Sequence, residues 1–298
     1  MQNLEEVTQL RSADLAAVLP VSVIVPARNE ARNLPRCLAS LSAVGETYVI
    51  DSQSDDGTPE IARSFDAKVI QFHYQGGWPK KRQWAIDSLP FAYDWILLID
   101  ADEALTPELT QEIRQAIKDP RLDGYYIGLQ MFFLGRQLRH SGATFDKLSL
   151  FRRSKGHFEC RLEDQDTSMC DMEVHEHVVV DGRTAKLKSP LVHRNVESLS
   201  HYIRKHDEYS NWEARVWARG DAASAELRPS LFGTQAQSRR WLRKNLFAIP
   251  GSPFLFFIYK YIFRLGFLDG VPGLIYCGLQ GVQFFHIKAK IYELTHKG

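Results

Sequence analysis

Three apolar runs in the first hundred residues each stop in a burst of polar and acidic side chains, and this repeat restricts the folds open to the chain. VSVIV (21–25) runs into Pro26-Ala27-Arg28-Asn29-Glu30, TYVI (47–50) into Asp51-Ser52-Gln53-Ser54-Asp55, and WILLI (95–99) into Asp100-Ala101-Asp102-Glu103. With AKVIQF (67–72) and YYIGL (125–129) they read as strands, several apolar at consecutive positions, as strands covered on both faces must be. Helical patterns separate them. Leu34, Leu38 and Leu41 form one stripe; Leu109, Ile113 and Ile117 form another. Thr58-Pro59-Glu60 and Thr106-Pro107-Glu108 share a start grammar of N-cap Thr, Pro at the first helical position, and Glu facing the positive helix end. Strands alternating with helices predict an α/β, Rossmann-like, mostly parallel sheet with right-handed crossovers. Ligands bind such sheets beyond the carboxyl ends of the strands. The three acid-bearing strand ends therefore meet on one rim.

Asp100-x-Asp102 at a strand end suits a hard divalent cation, Mn²⁺ or Mg²⁺, because oxygen ligands match such ions. Two carboxylates are too few for a closed site, but they suffice when diphosphate oxygens and water complete the shell. The plainer alternative is a solvated acidic turn that caps the next helix. Lys80-Lys81-Arg82, just upstream, is either an exposed charge run or a set of cationic partners for a diphosphate. Further on, MEVHEHVVVDG (172–182) places Glu176 between His175 and His177 before a β-branched run. It is either an alternating strand with an exposed face or a general base flanked by acceptor-pocket histidines. Glu163, Asp164 and Asp166 are the next acids to consider. His157, Cys160, Cys170 and His175 match no standard zinc spacing.

The ordered series VSVIVPARNE, VIDSQSDDGT and WILLIDADE resembles the family 2 glycosyltransferases, over about residues 20–200. That resemblance implies a GT-A fold and inverting sugar transfer from a nucleotide sugar, with UDP the expected nucleotide. By it, Pro26, Arg28 and Glu30 line the nucleotide pocket, Asp51 bonds the base, Asp100 approaches the ribose and metal, and Asp102 is the principal metal ligand. Arg28 stands where the family commonly has an aromatic residue or Thr. Lys81 or Arg82 falls where these enzymes carry a basic residue facing the donor. His193 falls where they often supply a histidine to the metal or diphosphate. Val174-His175-Glu176 and GFLDG (266–270) are similar to the lipopolysaccharide core β-glucosyltransferase-like branch, which favours Glu176 as the base and a membrane-bound, lipid-linked saccharide as acceptor.

Lys plus Arg is 37 and Asp plus Glu is 36, so net charge names no partner, and nucleic acid is not among those expected. The distribution is uneven. Residues 239–298 hold nine basic and two acidic side chains, a net of +7, and the rest of the chain carries −6. This basic stretch is also dense in aromatics and Gly. Residues 253–263 are apolar apart from Lys260, but Asp269-Gly270 and Pro272-Gly273 interrupt the next apolar segment near its start. A spanning helix needs about 20 predominantly apolar residues. Amphipathic helices lying in the membrane interface fit better, with a hairpin packed on the catalytic domain or on another subunit as the alternative.

The expected organisation is an N-terminal extension (1–20), a GT-A domain (21–225) and membrane-associating helices (226–298). Within the GT-A domain, a nucleotide-sugar half runs to about 130 and an acceptor half follows it. The N-terminus lacks the basic start and apolar core of a signal peptide, and the four cysteines are scattered, so a reduced chain on the cytoplasmic membrane face is expected, peripheral or monotopic. An oligomer is compatible with these features. Two other functions compete: a nucleotidyltransferase of similar fold, whose Gly-rich loop after the first strand is replaced here by PARNE, and a catalytically silent membrane adaptor.

Overall fold

The computed structural model describes residues 18–165, 167, 170–173, 176–194, 198–219, 226–247 and 249–296. The expected N-terminal extension lies outside them up to residue 17, and β1 already begins at Leu19. Strands β1 (Leu19–Ala27), β2 (Val44–Asp51), β3 (Lys68–Gln71) and β4 (Trp95–Leu98) form a parallel block in the order β3-β2-β1-β4. Alternate residues of each strand enter opposite cores. Val21, Val23, Val25, Leu97 and Ile99 pack on one face with Leu34, Leu38, Leu109 and Ile113. Ile24, Ile50, Ile96 and Leu98 pack on the other with Ile86, Phe151 and Phe158. The consecutive apolar runs are thus the signature of a sheet covered twice.

Helices α1 (Leu34–Ser40), α2 (Thr58–Ser64), α3 (Lys81–Ser88) and α4 (Pro107–Ala116) occupy the crossovers. Thr106 caps α4 as expected, its side chain accepting from the Leu109 N–H at 3.1 Å. Thr58 does not cap α2. Gly57 holds that position at a φ of +84°, and Thr58 is the first helical residue. The Thr58 hydroxyl instead accepts from the Glu30 N–H at 2.9 Å and donates to Asp56 at 2.5 Å, which ties the loops after β1 and β2 together.

Beyond β4 the sheet is mixed rather than mostly parallel. Strand β8 (Asp146–Arg152) runs antiparallel to both β4 and β6 (Gly124–Phe133), and β12 (Leu191–Arg194) returns parallel to β6. The chain goes from β6 to β8 through the short β7 (Arg136–Gln137) with no crossover helix between them, and such a connection favours an antiparallel partner. A two-residue strand, β5 (Glu103–Ala104), pairs His193 with Glu103 at the far edge. A separate ribbon joins β9 (Gly156–Phe158) and β10 (Val178–Val180), and β11 (Thr184–Lys186) pairs parallel with β6.

Helix α5 (Leu199–Ala218), α6 (Gln235–Phe247), α7 (Ser252–Ile258) and the long α8 (Gly270–His296) follow the sheet. A π-helical turn (Tyr259–Phe263) and a 3₁₀ turn (Gly266–Asp269) lie between α7 and α8. These elements pack on the sheet and its loops. Tyr276 and Cys277 bury against Leu138 and Ala143. Arg240 forms a buried bidentate pair with Glu159. Asp269 accepts from the backbone N–H groups of Arg139 and His140, each at 3.0 Å, and so holds the turn after β7. Replacing Asp269 by Ala leaves two part-buried donors without their acceptor, a loss of about 1–2 kcal/mol. The apparent melting temperature of Asp269→Ala should fall by roughly 2–3 °C in a thermal denaturation scan. An unchanged midpoint would show that this joint does not depend on Asp269.

Candidate active site

Strand order reverses across β1, whose neighbours are β2 and β4, and the crevice beyond their carboxyl ends is the site this topology offers. Its floor is the first turn of α3. Lys80, Lys81 and Arg82 are all buried, so the exposed charge run is excluded. Each cation meets a carboxylate from another segment. Lys80 Nζ donates to Glu176 Oε2 at 2.6 Å and lies over the Trp212 ring at 4.6 Å. Lys81 Nζ is 3.2 Å from Asp171 Oδ2 and donates to the Ala27 carbonyl at 3.1 Å. The Arg82 guanidinium pairs with Asp100 and donates to the Glu173 carbonyl at 2.8 Å. Three cations at a helix N-terminus oppose the helix dipole. Glu173 offsets this by capping α3 from outside, accepting from the N–H groups of Arg82 at 3.2 Å and Gln83 at 2.9 Å.

At the tip of β4, Asp100 is flanked by Arg82 and by Lys147 Nζ at 2.9 Å. Burial alone would raise its pKa, but these two cations outweigh burial and hold the carboxyl well below the usual range. Glu103, buried beside it, accepts from the Asp100 N–H at 2.8 Å, and desolvation raises its pKa. Asp102 is fixed through its backbone: its carbonyl accepts from Arg36 Nη2 at 2.6 Å and from the Arg194 N–H at 2.9 Å. Its carboxylate lies 3.3 Å from His193 Nδ1. That nitrogen is buried and makes no hydrogen bond, so the approach has the distance of a contact without its direction. One hard oxygen ligand and one orphaned imidazole nitrogen converge, and this donor set fits Mn²⁺ or Mg²⁺ completed by other oxygens. Among the described residues no group of three or more His, Cys, Asp or Glu side chains could hold a metal.

Glu30 lines the same crevice, its pKa raised to about 7 by burial and by the nearby Asp102 and Asp100 charges, against the pull of Lys205. Lys205, on α5, is the cation that sequence reasoning missed. Tyr209, and after it the carboxylates of Asp102, Glu30 and Asp100, outweigh desolvation and keep its ammonium protonated. Lys205 and Tyr209 stand four apart on one helix face, but nothing in the sequence links that face to the rim. Lys147 was missed for the same reason. Pro26 and Arg28 also line the crevice. Asp51 does not. It is fully buried, and its carboxylate accepts from Gln71 Nε2 at 2.8 Å, from the Ser54 N–H at 3.1 Å and from the Ser54 hydroxyl, so it organises the loop that follows β2.

The crevice continues into a cavity of about 1510 Å³ that reaches Glu176, His177, His193 and the C-terminal helices. Glu176 is not on an exposed strand face: its side chain is buried against Lys80, and β10 starts only at Val178. Desolvation pushes its pKa up to about 7, and Lys80 limits the rise. His177 is exposed, and its N–H donates to Glu159 Oε1 at 2.9 Å. His175 and Asp166 lie outside the described residues. The sheet and its acid-bearing rim are thus in place, and residues 22–177 match Glycosyl transferase family 2.

The chain belongs to this family. A lipopolysaccharide core biosynthesis glycosyltransferase of Rhizobium meliloti, LpsC, is 25% identical over 92% of this chain and 93% of its own length. An uncharacterised glycosyltransferase of Rickettsia typhi is 25% identical over 93% of this chain and 88% of its own length. Among solved structures, S. aureus TarS aligns at a TM-score of 0.41 and 16% identity, over 92% of this chain and 55% of that protein. Glucosyl-3-phosphoglycerate synthase of Mycobacterium tuberculosis, crystallised with Mn²⁺ and UDP, aligns at a TM-score of 0.39 and 16% identity, over 70% and 84%. Membership removes the nucleotidyltransferase reading and supports glycosyltransferase activity.

The geometry at Asp102 generates a direct test. Asp102→Asn keeps the shape and the backbone bonds but removes the negative charge beside His193. Calorimetric titration of nucleotide sugars with and without Mn²⁺ should show that the metal-dependent part of donor binding is lost. Retention of that part in a folded Asp102→Asn protein would exclude Asp102 as a ligand.

Proposed function

We propose that this glycosyltransferase moves a hexose, with inversion, from a nucleotide-diphosphate sugar to a lipid-linked saccharide of the cell envelope, at the cytoplasmic membrane face. The observation that carries the reading is the single cavity that holds Asp100, Asp102 and His193 at one end and the buried Glu176 further along. UDP is the nucleotide we propose, and a donor panel is its test. Asp102 and His193 would hold Mn²⁺ or Mg²⁺, with Asp100 facing the ribose. The ion would supply Lewis-acid neutralisation of the donor diphosphate as its bond to the sugar breaks. Pro26, Arg28 and Glu30 border the nucleotide, while Lys205 adds positive charge where the diphosphate oxygens would lie. Arg82 acts indirectly, by fixing the Asp100 carboxylate.

On this reading Glu176 takes the proton of the acceptor hydroxyl, and His177 shapes the acceptor pocket together with His175. A base working near neutrality is most effective when its own pKa lies close to the working pH. Burial brings Glu176 there. Glu176→Gln preserves volume but cannot take a proton, so kcat should fall about 10²–10⁴-fold while donor affinity is spared. The sign of the pH dependence follows. The base is active when ionised, so kcat/KM should decline as pH drops below about 7, the value to which Glu176 is raised. Glu30 titrates in the same range, so the acidic limb should persist in Glu30→Gln if Glu176 causes it. Near-native kcat in Glu176→Gln would move the base elsewhere, with Glu163 and Asp164 the next acids to replace.

The membrane part of the proposal rests on the outer face of the C-terminal helices. Phe263 is 73% exposed, Val271 68%, Phe254 66% and Phe285 58%, and they lie within the stretch of highest positive charge. No single described helix is long and apolar enough to cross a membrane, although the bent pair Ser252–Phe263 and Gly266–His296, angled at 71°, passes by length and composition together. An apolar face flanked by cations, on helices whose other side packs on the enzyme, suits an interfacial seat. Phe254→Ser combined with Phe263→Ser should abolish co-sedimentation of the full chain with anionic liposomes without lowering its melting temperature. Undiminished sedimentation of the double variant would overturn the seat.

A further inference from the structure

The cavity is polarised. Its rim carries carboxylates, whereas the wall built by α6 and by the turn between α7 and α8 carries Arg239, Arg240, Arg243, Lys260 and Arg264. Two of these cations are spoken for, Arg240 by Glu159 and Arg243 by Glu213 at 2.5 Å. The other three form no ion pair with a carboxylate among the described residues. Arg239 stacks over Phe145 at 5.1 Å and stays accessible from the cavity. Lys260 is buried, donates to the neutral Gln280 Oε1 at 3.2 Å, and lies over Tyr276 at 4.9 Å. Arg264 is exposed and lies beside Gly142, where a side chain would stand 3.6 Å from its Nε.

We propose that Arg239, Lys260 and Arg264 form an oxyanion subsite on the acceptor side of the cavity, built for a phosphate or carboxylate group carried by the acceptor saccharide. The inference deepens the transferase reading and rests on it for the word acceptor. Three lines support it. First, about 1510 Å³ exceeds the roughly 300–1,000 Å³ of a single small-molecule site, so the cavity has room for a second substrate beside the donor. Second, these cations disfavour one another. Burial pushes Lys260 down to about 7, and Arg239, Arg243 and Arg264 act in the same direction. Partial desolvation at the cavity wall likewise lowers Arg239, with Arg243 and Arg264 adding to it. A buried ammonium without a carboxylate is costly, and an incoming oxyanion removes that cost through charge-assisted bonds. Third, the helices that supply Lys260 and Arg264 also carry the exposed apolar face at Phe254 and Phe263. An anionic group close to a membrane-embedded portion of the acceptor would enter the cavity at this wall.

The test uses the full chain and three probes: glucose 6-phosphate, glucuronate and uncharged glucose. In calorimetric titrations the double variant Arg239→Gln/Arg264→Gln should lose about tenfold or more in affinity for the phosphate or carboxylate probe, whichever binds the native chain, with the weak response to glucose unchanged. The two charged probes distinguish a phosphorylated acceptor from an acidic sugar. Asp102→Asn should retain charged-probe binding, because its lesion lies at the donor end. Native-like affinity in the double variant would overturn the subsite, as would failure of both charged probes to bind the native chain more tightly than glucose, or equal loss in Asp102→Asn, which would give these cations to the donor. Should the double variant misfold, Arg264→Gln alone, at an exposed position, is read the same way. Failure of donor binding across a nucleotide-sugar panel, with charged-probe binding still dependent on Arg239 and Arg264, would defeat the transferase reading while leaving the anion site standing.

Discussion

Burying Lys80, Lys81 and Arg82 side by side at the start of α3 is the constraint on which the rest of the site depends. Unpaired, each would cost several kcal/mol to remove from water. Neutralising them draws Asp100 from the end of β4, Asp171 and Glu173 from the loop after β9, and Glu176 from the approach to β10. Segments about ninety residues apart in sequence are thereby held against a single helical turn. Breaking one such pair by removing a partner is far more damaging than exchanging the whole pair for apolar groups, because the charge left behind stays buried. The site is rigid for the reason that it is expensive: the donor-side carboxylate and the proposed base are anchored to the same three consecutive side chains.

This anchoring also marks the boundary of what could be read from the sequence. The strands and the position of Asp100 and Asp102 at the end of one of them were legible because they follow from local patterns, consecutive apolar residues ended by acids. The helix start at Thr106 was legible because the cap and the capped N–H are three residues apart. Glu173 capping α3 was not, because cap and helix lie about ninety residues apart and only the fold introduces them. The buried state of Lys80-Lys81-Arg82 has the same origin: a run of cations looks solvated until its carboxylates are known. The bonds of Asp51 to Ser54 and Gln71 were equally hidden, because Gln71 comes from a neighbouring strand twenty residues away. The mixed sheet escaped because strand direction beyond β4 depends on a connection without a helix, which apolar periodicity does not encode.

The C-terminal helices show how a segment of ambiguous composition can serve two surfaces at once. The choice posed by sequence was an interfacial helix pair or a hairpin packed on the enzyme. One side of α8 buries Tyr276 and Cys277 against the turn that follows β7, and Asp269 fixes that turn through two backbone bonds. The opposite side leaves Val271 and Phe285 exposed. Arg240 joins α6 to the ribbon strand β9 through Glu159, and Glu159 in turn holds the N–H of His177 next to Glu176. The tail is therefore also a wall of the cavity, joined to the body of the enzyme by buried apolar contacts and by the Arg240–Glu159 pair.

The environment of Glu176 balances two opposing demands that the proposed role as base would make. Full exposure would leave its pKa near 4.5, too weak to draw a proton from a sugar hydroxyl; burial without a counter-ion would leave it protonated and inert at neutral pH. Lys80 at 2.6 Å limits the upward push of desolvation, and the result lies close to neutrality. Lys80 is in turn held by the face of Trp212, a fully buried ring on α5 whose indole N–H donates to Gln165 at 3.0 Å. A cation over an aromatic face retains much of its charge stabilisation without water. The same helix α5 carries Lys205 to the carboxylate rim, seven residues before Trp212. One helix thus sets the charge at both ends of the proposed reaction path, and a shift of α5 would disturb the electrostatics of the donor rim and of the base together.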